Sequence, residues 1–395
     1  MASKFTVNRR ELLLAVPLML PAIAEAQEKK PDATLNLRRD DGLDKLLNQW
    51  REKEDIPAAY LAVYYQGKFY GSASGLLKRD ADAPATLKNR FRIGSVTKPM
   101  TSTLILLLAN DGVLDLNQSP VAYLPELAKT MHPGFKEITL RHLLAHAAGL
   151  PSPGTGRGFP RKPGESTEDY AVRERRTGVT EDYFRDAPTQ PIGKYNYSNN
   201  GYVTLGAIAE AAAQTPHERL MRERVFLPLG MSASAIGMPG RKGVLAEPWY
   251  YPIKDGQAKD PIEPCAENDQ GPCAVPQGCA YTSIEDSCRF MKAHISWYQE
   301  RNFAGLKTRL CREMFALPHT KDRNLAWSIW QEGHFGTALT HTGQNADYRG
   351  AWNACNMRII PNADTGIFLV VTDGREMGKL HTCVNDIQRL VLGNP

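Results

Sequence analysis

Strand-like runs stand at both ends of the chain, and this limits the folds open to it more than any other feature. Near the start, Tyr60-Leu61-Ala62-Val63-Tyr64-Tyr65 and Phe69-Tyr70-Gly71-Ser72-Ala73 flank Gln66-Gly67-Lys68 and read as a hairpin. Near the end, Tyr348 to Ile360 and Gly366 to Val371 are strand-like and joined through Pro361-Asn362-Ala363-Asp364. Leu43 to Trp50 has helical periodicity, and Met377 to Leu392 reads as a closing helix. Between the ends the chain is helical in character: Thr97 to Ala109, Leu140 to Ala147 and Gly201 to Ala213, with Pro/Gly-rich loops such as Pro151 to Gly164. The expected class is α/β, in the α+β sense. One antiparallel sheet is formed by both chain ends and flanked by helices, with a mostly helical subdomain inserted. The sheet part takes about 40–95 and 325–395, and the helical part about 96–324.

The first residues read as a leader. Lys4, Arg9 and Arg10 precede an apolar run, Leu12 to Ile23, that is too short to span a bilayer. Ala24-Glu25-Ala26 is a small-x-small site, so residues 1–26 are expected to be a signal peptide and 27–395 the working domain. Arg9-Arg10 resembles a twin-arginine signal, and the expected location is periplasmic or secreted. No other segment looks membrane-spanning. The formal charge of +5 is mild, and basic side chains are interspersed with acidic ones, as in Arg173-Glu174-Arg175-Arg176 before Glu181-Asp182. A nucleic-acid binder concentrates its basic charge on one face, so no nucleic-acid partner is expected.

Seven cysteines, at 265, 273, 279, 288, 311, 355 and 383, all lie in the second half. In an exported chain they suggest disulfides, with at least one thiol left over because the number is odd. No CxxC pair occurs and the spacings fit no common zinc pattern. His142 and His146 are four apart but lack the acidic partner of an HExxH site, so no metal is expected.

Ser95-Val96-Thr97-Lys98 is the one SxxK in the sequence, and it opens a helical run containing Leu104-Ile105-Leu106-Leu107-Leu108. Residues three apart share a helix face, so the lysine amine can reach the serine hydroxyl. At a helix N-terminus the positive end of the dipole favours negative charge on an attacking oxygen. Two later segments accompany it: Tyr197-Ser198-Asn199 before Gly201-Tyr202, and His341-Thr342-Gly343 before the terminal strands. Ser198-Asn199-Asn200 is an alternative register of the first of these.

In this order the three segments resemble the signature of the serine β-lactamase and penicillin-binding-protein superfamily, most closely its class C branch. Phe91-Arg92-Ile93-Gly94 and Thr139 to Pro151 are similar to family segments too. The resemblance implies that Ser95 is acylated and that Lys98 and Tyr197 help to remove its proton. It also implies an oxyanion held by the N–H groups of Ser95 and Gln344, and a substrate amide oriented by Asn199, which would also hold Lys98. His341, Thr342, Gly343 and Gln344 belong to the substrate side. No cofactor is needed for this chemistry.

His341 departs from the lysine of typical β-lactamases, and histidine is about half neutral or more at pH 7. Gln344 stands where many relatives have a small residue, and its length is expected to crowd the oxyanion side. Cys279 stands where relatives often have glycine, which suggests a disulfide near the site. The resemblance thus implies hydrolysis of small esters or amides, of esterase or D-alanyl carboxypeptidase type, with weak or no β-lactamase activity. The substrate is a small molecule or peptide. The alternatives are a penicillin-binding or ligand-binding protein with little turnover and a true class C-like β-lactamase.

Overall fold

The computed structural model describes residues 37–152, 160–271, 274–299, 314, 323–375 and 377–393. The expected leader, 1–26, lies outside them. Helix α1 (Asp41–Lys53) begins where the Asp40 carboxylate accepts the Leu43 N–H at 3.0 Å. Asp41 and Asp44 in its first turn, and Arg51 and Lys53 in its last, oppose the helix dipole. Strands β1 (Ala58–Tyr65) and β2 (Lys68–Gly75) follow as a hairpin. Its two-residue turn places Gln66 at φ 47° and Gly67 at φ 78°, the mirror-image turn that matches strand twist.

Strand β3 (Arg90–Arg92) leads through a short helical turn, Gly94–Val96, into α2 (Thr97–Asn110). Helices α3 (Leu140–Leu144), α4 (Thr167–Gly178) and α5 (Asn199–Ala213) come next. Then come β4 (Ala235–Ile236), β5 (Ile253–Lys254), β6 (Gln257–Ala258), β7 (Ala280–Ser283) and α6 (Ile284–Tyr298). Strands β8 (Arg323–Asn324), β9 (Trp327–Gln331), β10 (Thr337–Asp347), β11 (Gly350–Ile360) and β12 (Thr365–Val371) precede α7 (Met377–Leu392).

Among the described residues one antiparallel sheet runs β2-β1-β12-β11-β10-β9-β8, with β5 and β6 attached to β11. Its centre joins the two chain ends, with Leu61 opposite Leu369. Helices α1 and α7 cover one face, where Leu43, Leu47, Leu61, Val63, Leu369, Val384 and Ile387 form a continuous apolar core. Helix α6 covers the other, and two glycines let it approach. A Cβ on Gly366 would stand 2.8 Å from Met291 Cβ, and one on Gly71 2.9 Å from Ile284 Cγ2. A second sheet, β3-β7-β4, sits beside the serine segment. Helix α2 is buried from Thr97 to Leu108, as expected of a helix that passes through the interior.

Two elements differ from the sequence expectation. The His341-Thr342-Gly343 segment lies within an 11-residue strand, β10, rather than ahead of the strands. Its buried positions include Thr340, His341 and Asn345, so no apolar alternation marks it. Helix α3 stops at Leu144, short of Ala147, because the chain turns through a left-handed His146 at φ 55°.

The disulfide expectation is corrected for the five cysteines described. Cys265, Cys279, Cys288, Cys355 and Cys383 are free and buried; Cys273 and Cys311 lie outside the described residues. They act as small apolar groups, Cys383 on the core-facing side of α7. Cys355 Sγ donates to the Ile93 carbonyl at 3.1 Å and Cys279 Sγ faces Gln270 Oε1 at 3.6 Å. Burial pushes the Cys279 thiol up to about 12, so it stays protonated.

Two buried polar groups tie the helices together. Arg175 on α4, fully buried, donates to Glu210 on α5 at 3.1 Å and to Glu218 at 2.8 Å. At the start of α6, Asp286 accepts the Ala233 N–H and the Ser234 hydroxyl, each at 2.8 Å. Burial, only partly offset by these bonds, pushes the Asp286 carboxyl up to about 6. Replacing Arg175 with Met leaves Glu210 buried without its cation, and urea denaturation should show a loss of about 3–5 kcal/mol. Loss below 1 kcal/mol would contradict the dependence of Glu210 on Arg175. Asp286 binds its proton more tightly folded than unfolded. Its contribution is therefore complete below the unfolded value near 3.8 and is lost as pH rises through about 6. Denaturation of Asp286→Asn at pH 4 and pH 7 should show this change of about 2–3 kcal/mol removed; an unaltered slope would place the titration elsewhere.

Candidate active site

Ser95 is half-buried in the turn Gly94–Val96 and lies directly before α2. The turn is fixed by close packing. Gly94 has φ 49°, and a Cβ on it would stand 2.6 Å from the Gln344 backbone nitrogen. On the facing strand a Cβ on Gly343 would stand 2.1 Å from the Ile93 carbonyl oxygen and 3.1 Å from the Ser95 nitrogen. Each position tolerates only glycine, and together they let β10 lie against the serine turn. Thr97 Oγ1 donates to the Gly94 carbonyl at 2.7 Å and accepts the Ala280 N–H at 3.0 Å, which ties the turn to β7.

Three of the expected residues meet at one atom. Ser95 Oγ lies 3.0 Å from Lys98 Nζ and accepts the Tyr197 hydroxyl at 2.8 Å. Lys98 is fully buried in α2, its Nζ 4.8 Å from the Tyr197 ring centroid and 5.7 Å from that of Tyr202. Desolvation holds its amine well below the ordinary lysine range, because charge is costly where water is excluded. A neutral amine beside a serine hydroxyl is a proton acceptor. The arrangement can therefore deprotonate Ser95 without a histidine base.

Tyr197 is held from behind. The His146 ring stacks on it, with centroids 4.5 Å apart and planes 29° from parallel. His146 Nδ1 accepts the Ser198 N–H at 3.1 Å, so the ring carries its proton on Nε2. Ser198 caps α5, accepting the Gly201 N–H at 3.2 Å and donating to the Pro151 carbonyl at 2.9 Å. In this register Tyr197 faces Ser95, while Ser198 serves the helix. His142 closes the capping box of α3 with Thr139.

Asn199, the first residue of α5, does not hold Lys98: its Oδ1 is buried and makes no hydrogen bond. Gln277 takes that part. Its carbonyl accepts from Lys98 Nζ at 2.8 Å and its Oε1 lies 3.4 Å away. Gln277 and His146 are the two contacts that sequence reasoning missed. Gln277 is 179 residues from Lys98, with no local pattern to link them. His146 could have been found from its place between α3 and Gly149, where a left-handed residue turns the chain toward Tyr197.

His341 is buried on β10, and its Nδ1 donates to the Thr342 carbonyl at 2.6 Å. Thr342 follows on the strand and leads into Gly343 and Gln344. The Gln344 side chain is exposed, and its amide extends to the Arg375 carbonyl at 3.5 Å. Among the described residues no cluster of three His, Cys, Asp or Glu could hold a metal, and no helix is long and apolar enough to cross a membrane.

Known proteins are similar to this chain. Penicillin-binding protein 4 of Amycolatopsis lactamdurans is 30% identical over 195 residues, which is 47% of this chain and 48% of that protein. Esterase EstB of Burkholderia gladioli is 29% identical over 257 residues, 62% of this chain and 60% of its own. The chain thus spans about half the length of the curated relatives it first matches. Among solved structures, a β-lactamase/D-alanine carboxypeptidase from Pseudomonas syringae superposes with TM-score 0.65 at 19% identity, covering 90% of this chain and all of that one. The last of these speaks for the fold alone. The profile of the Beta-lactamase family matches residues 43–382, from the first helix that packs on the sheet to the last, and the chain belongs to that family.

Proposed function

We propose that the chain is an exported serine hydrolase that cleaves small esters or amides through an acyl-enzyme on Ser95, of esterase or D-alanyl carboxypeptidase type, with weak or no β-lactamase activity. The contact of Tyr197, Ser95 and Lys98 at 2.8 and 3.0 Å carries this reading. Lys98 takes the Ser95 proton as Oγ bonds to the substrate carbonyl carbon. The Ser95 and Gln344 N–H groups stabilise the oxyanion. Tyr197 delivers a proton to the leaving alcohol or amine as its bond to the carbonyl breaks, and it is restored from Lys98. In the second half Tyr197 takes a proton from the water that attacks the acyl carbon as it passes its own to the neutral Lys98 amine, and Lys98 returns that proton to Ser95 Oγ as the acyl–oxygen bond breaks. Asn199, the first residue of α5, is assigned to an acyl-side amide by its place in the Tyr197-Ser198-Asn199 segment.

The substrate class follows from charge. A buried histidine at 341, engaged with its own chain, supplies no permanent cation for a substrate carboxylate, unlike the lysine of typical β-lactamases. The name of one relative, an esterase, supports the same choice. A D-alanine carboxypeptidase shares the fold.

Ser95→Ala should reduce p-nitrophenyl acetate turnover to background; turnover at the wild-type rate would overturn the assignment. Lys98→Arg puts a permanent cation in place of the amine and cannot act as base, so acylation should slow by about 10²–10⁴-fold. Wild-type turnover should exceed nitrocefin hydrolysis on ester or D-Ala-D-Ala substrates. Faster nitrocefin hydrolysis would make the chain a class C-like β-lactamase, and a penicillin adduct lasting hours without ester turnover would make it a penicillin-binding protein.

A further inference from the structure

Lys98 Nζ is met by two acceptors from one residue, the Gln277 carbonyl at 2.8 Å and Gln277 Oε1 at 3.4 Å. The turn that carries Gln277, Val275–Gly278, is itself fastened to the serine helix. Thr101 on α2 donates to the Pro276 carbonyl at 2.7 Å, and Asn345 on β10 donates to the Gly278 carbonyl at 2.8 Å. Gly206 on α5 gives the turn its room: a Cβ there would stand 2.3 Å from Pro276 Cγ. Gln277 is 9% exposed, so little water competes for its acceptors.

Counting hydrogens gives the consequence. A neutral amine has two N–H bonds and one lone pair. With both N–H bonds directed at the Gln277 oxygens, the lone pair is left for the Ser95 hydroxyl 3.0 Å away. Ser95 Oγ already accepts the Tyr197 hydroxyl, so its own hydrogen is free to point at Nζ. A glutamine serves here where a glutamate would not, because a carboxylate would hold the amine protonated. Among the described residues the titratable groups facing Nζ are Tyr197, just ahead of α5, Tyr202 on α5, and the Cys279 thiol beyond the turn. None of these is a carboxylate.

We propose that the Gln277 side chain is a positioning residue, acting with its own backbone carbonyl to aim the Lys98 lone pair at Ser95 Oγ. This deepens the acyl-enzyme reading and rests on it. The test is a ¹³C-lysine NMR titration of Lys98 in the full chain, with Gln277→Glu and Gln277→Ala, alongside pH profiles of ester turnover and a Ser95→Ala control. Gln277→Glu should raise the Lys98 midpoint by about one unit or more and carry the acid limb of kcat/KM with it. Gln277→Ala keeps the backbone contact and should lower kcat about 5–10-fold with KM unchanged. A Lys98 midpoint and acid limb unmoved in Gln277→Glu, with wild-type kcat in Gln277→Ala, would overturn the positioning role. Because the titration needs no turnover, a shifted midpoint together with Ser95-independent hydrolysis would instead overturn the acyl-enzyme reading and leave the Gln277 contact standing. If Gln277→Glu fails to fold, the kcat and Lys98 midpoint of Gln277→Ala decide.

Discussion

A lysine amine without water around it is the condition on which the rest of the site depends. Lys98 sits on a helix buried from Thr97 to Leu108. A charged ammonium there would cost several kcal/mol in lost hydration. Burial therefore shifts the balance toward the neutral amine, and the neighbouring residues match that shift. Tyr197 donates to Ser95 rather than drawing its proton, and Gln277 offers neutral oxygens rather than a carboxylate. Had a glutamate faced Nζ, the same geometry would hold a salt bridge.

The sheet and the site are mechanically one object. Strand β10 reaches the serine turn because Gly343 and Gly94 have no side chains, and Cys355 on β11 is a small buried thiol that donates to the Ile93 carbonyl. The β1–β12 pairing holds the sheet that carries β10, and it joins residues some three hundred positions apart in the chain. A long-range contact of this kind sets where the serine turn lies relative to β10, whereas the SxxK helix is a local structure. The second small sheet completes the wall. Arg92, fully buried, pairs with Asp269 and donates to the Gly237 carbonyl at 2.9 Å.

Much of this could be read from residues alone, for identifiable reasons. The closing helix has strong periodicity, the hairpin has turn residues of defined conformation, and the serine helix carries a long apolar run. The Ser95–Lys98 spacing is local, so a helix guarantees the approach. Strand β10 escaped because its inward positions are polar. The disulfide expectation failed for the five described thiols because an exported-looking cysteine pattern says nothing about how far apart buried side chains lie.

By itself the sequence determined the first hairpin, the closing helix, the serine helix with the shared face of Ser95 and Lys98, and the α+β arrangement with both ends in one sheet. Those are consequences of backbone periodicity and short-range geometry. Only the tertiary structure decided which group holds Lys98, that Asn199 does not, that His146 backs Tyr197, and that the described cysteines remain thiols. Each of these depends on contacts between segments distant in the chain, where packing and exclusion of water, rather than any local pattern, set the partner and the protonation state.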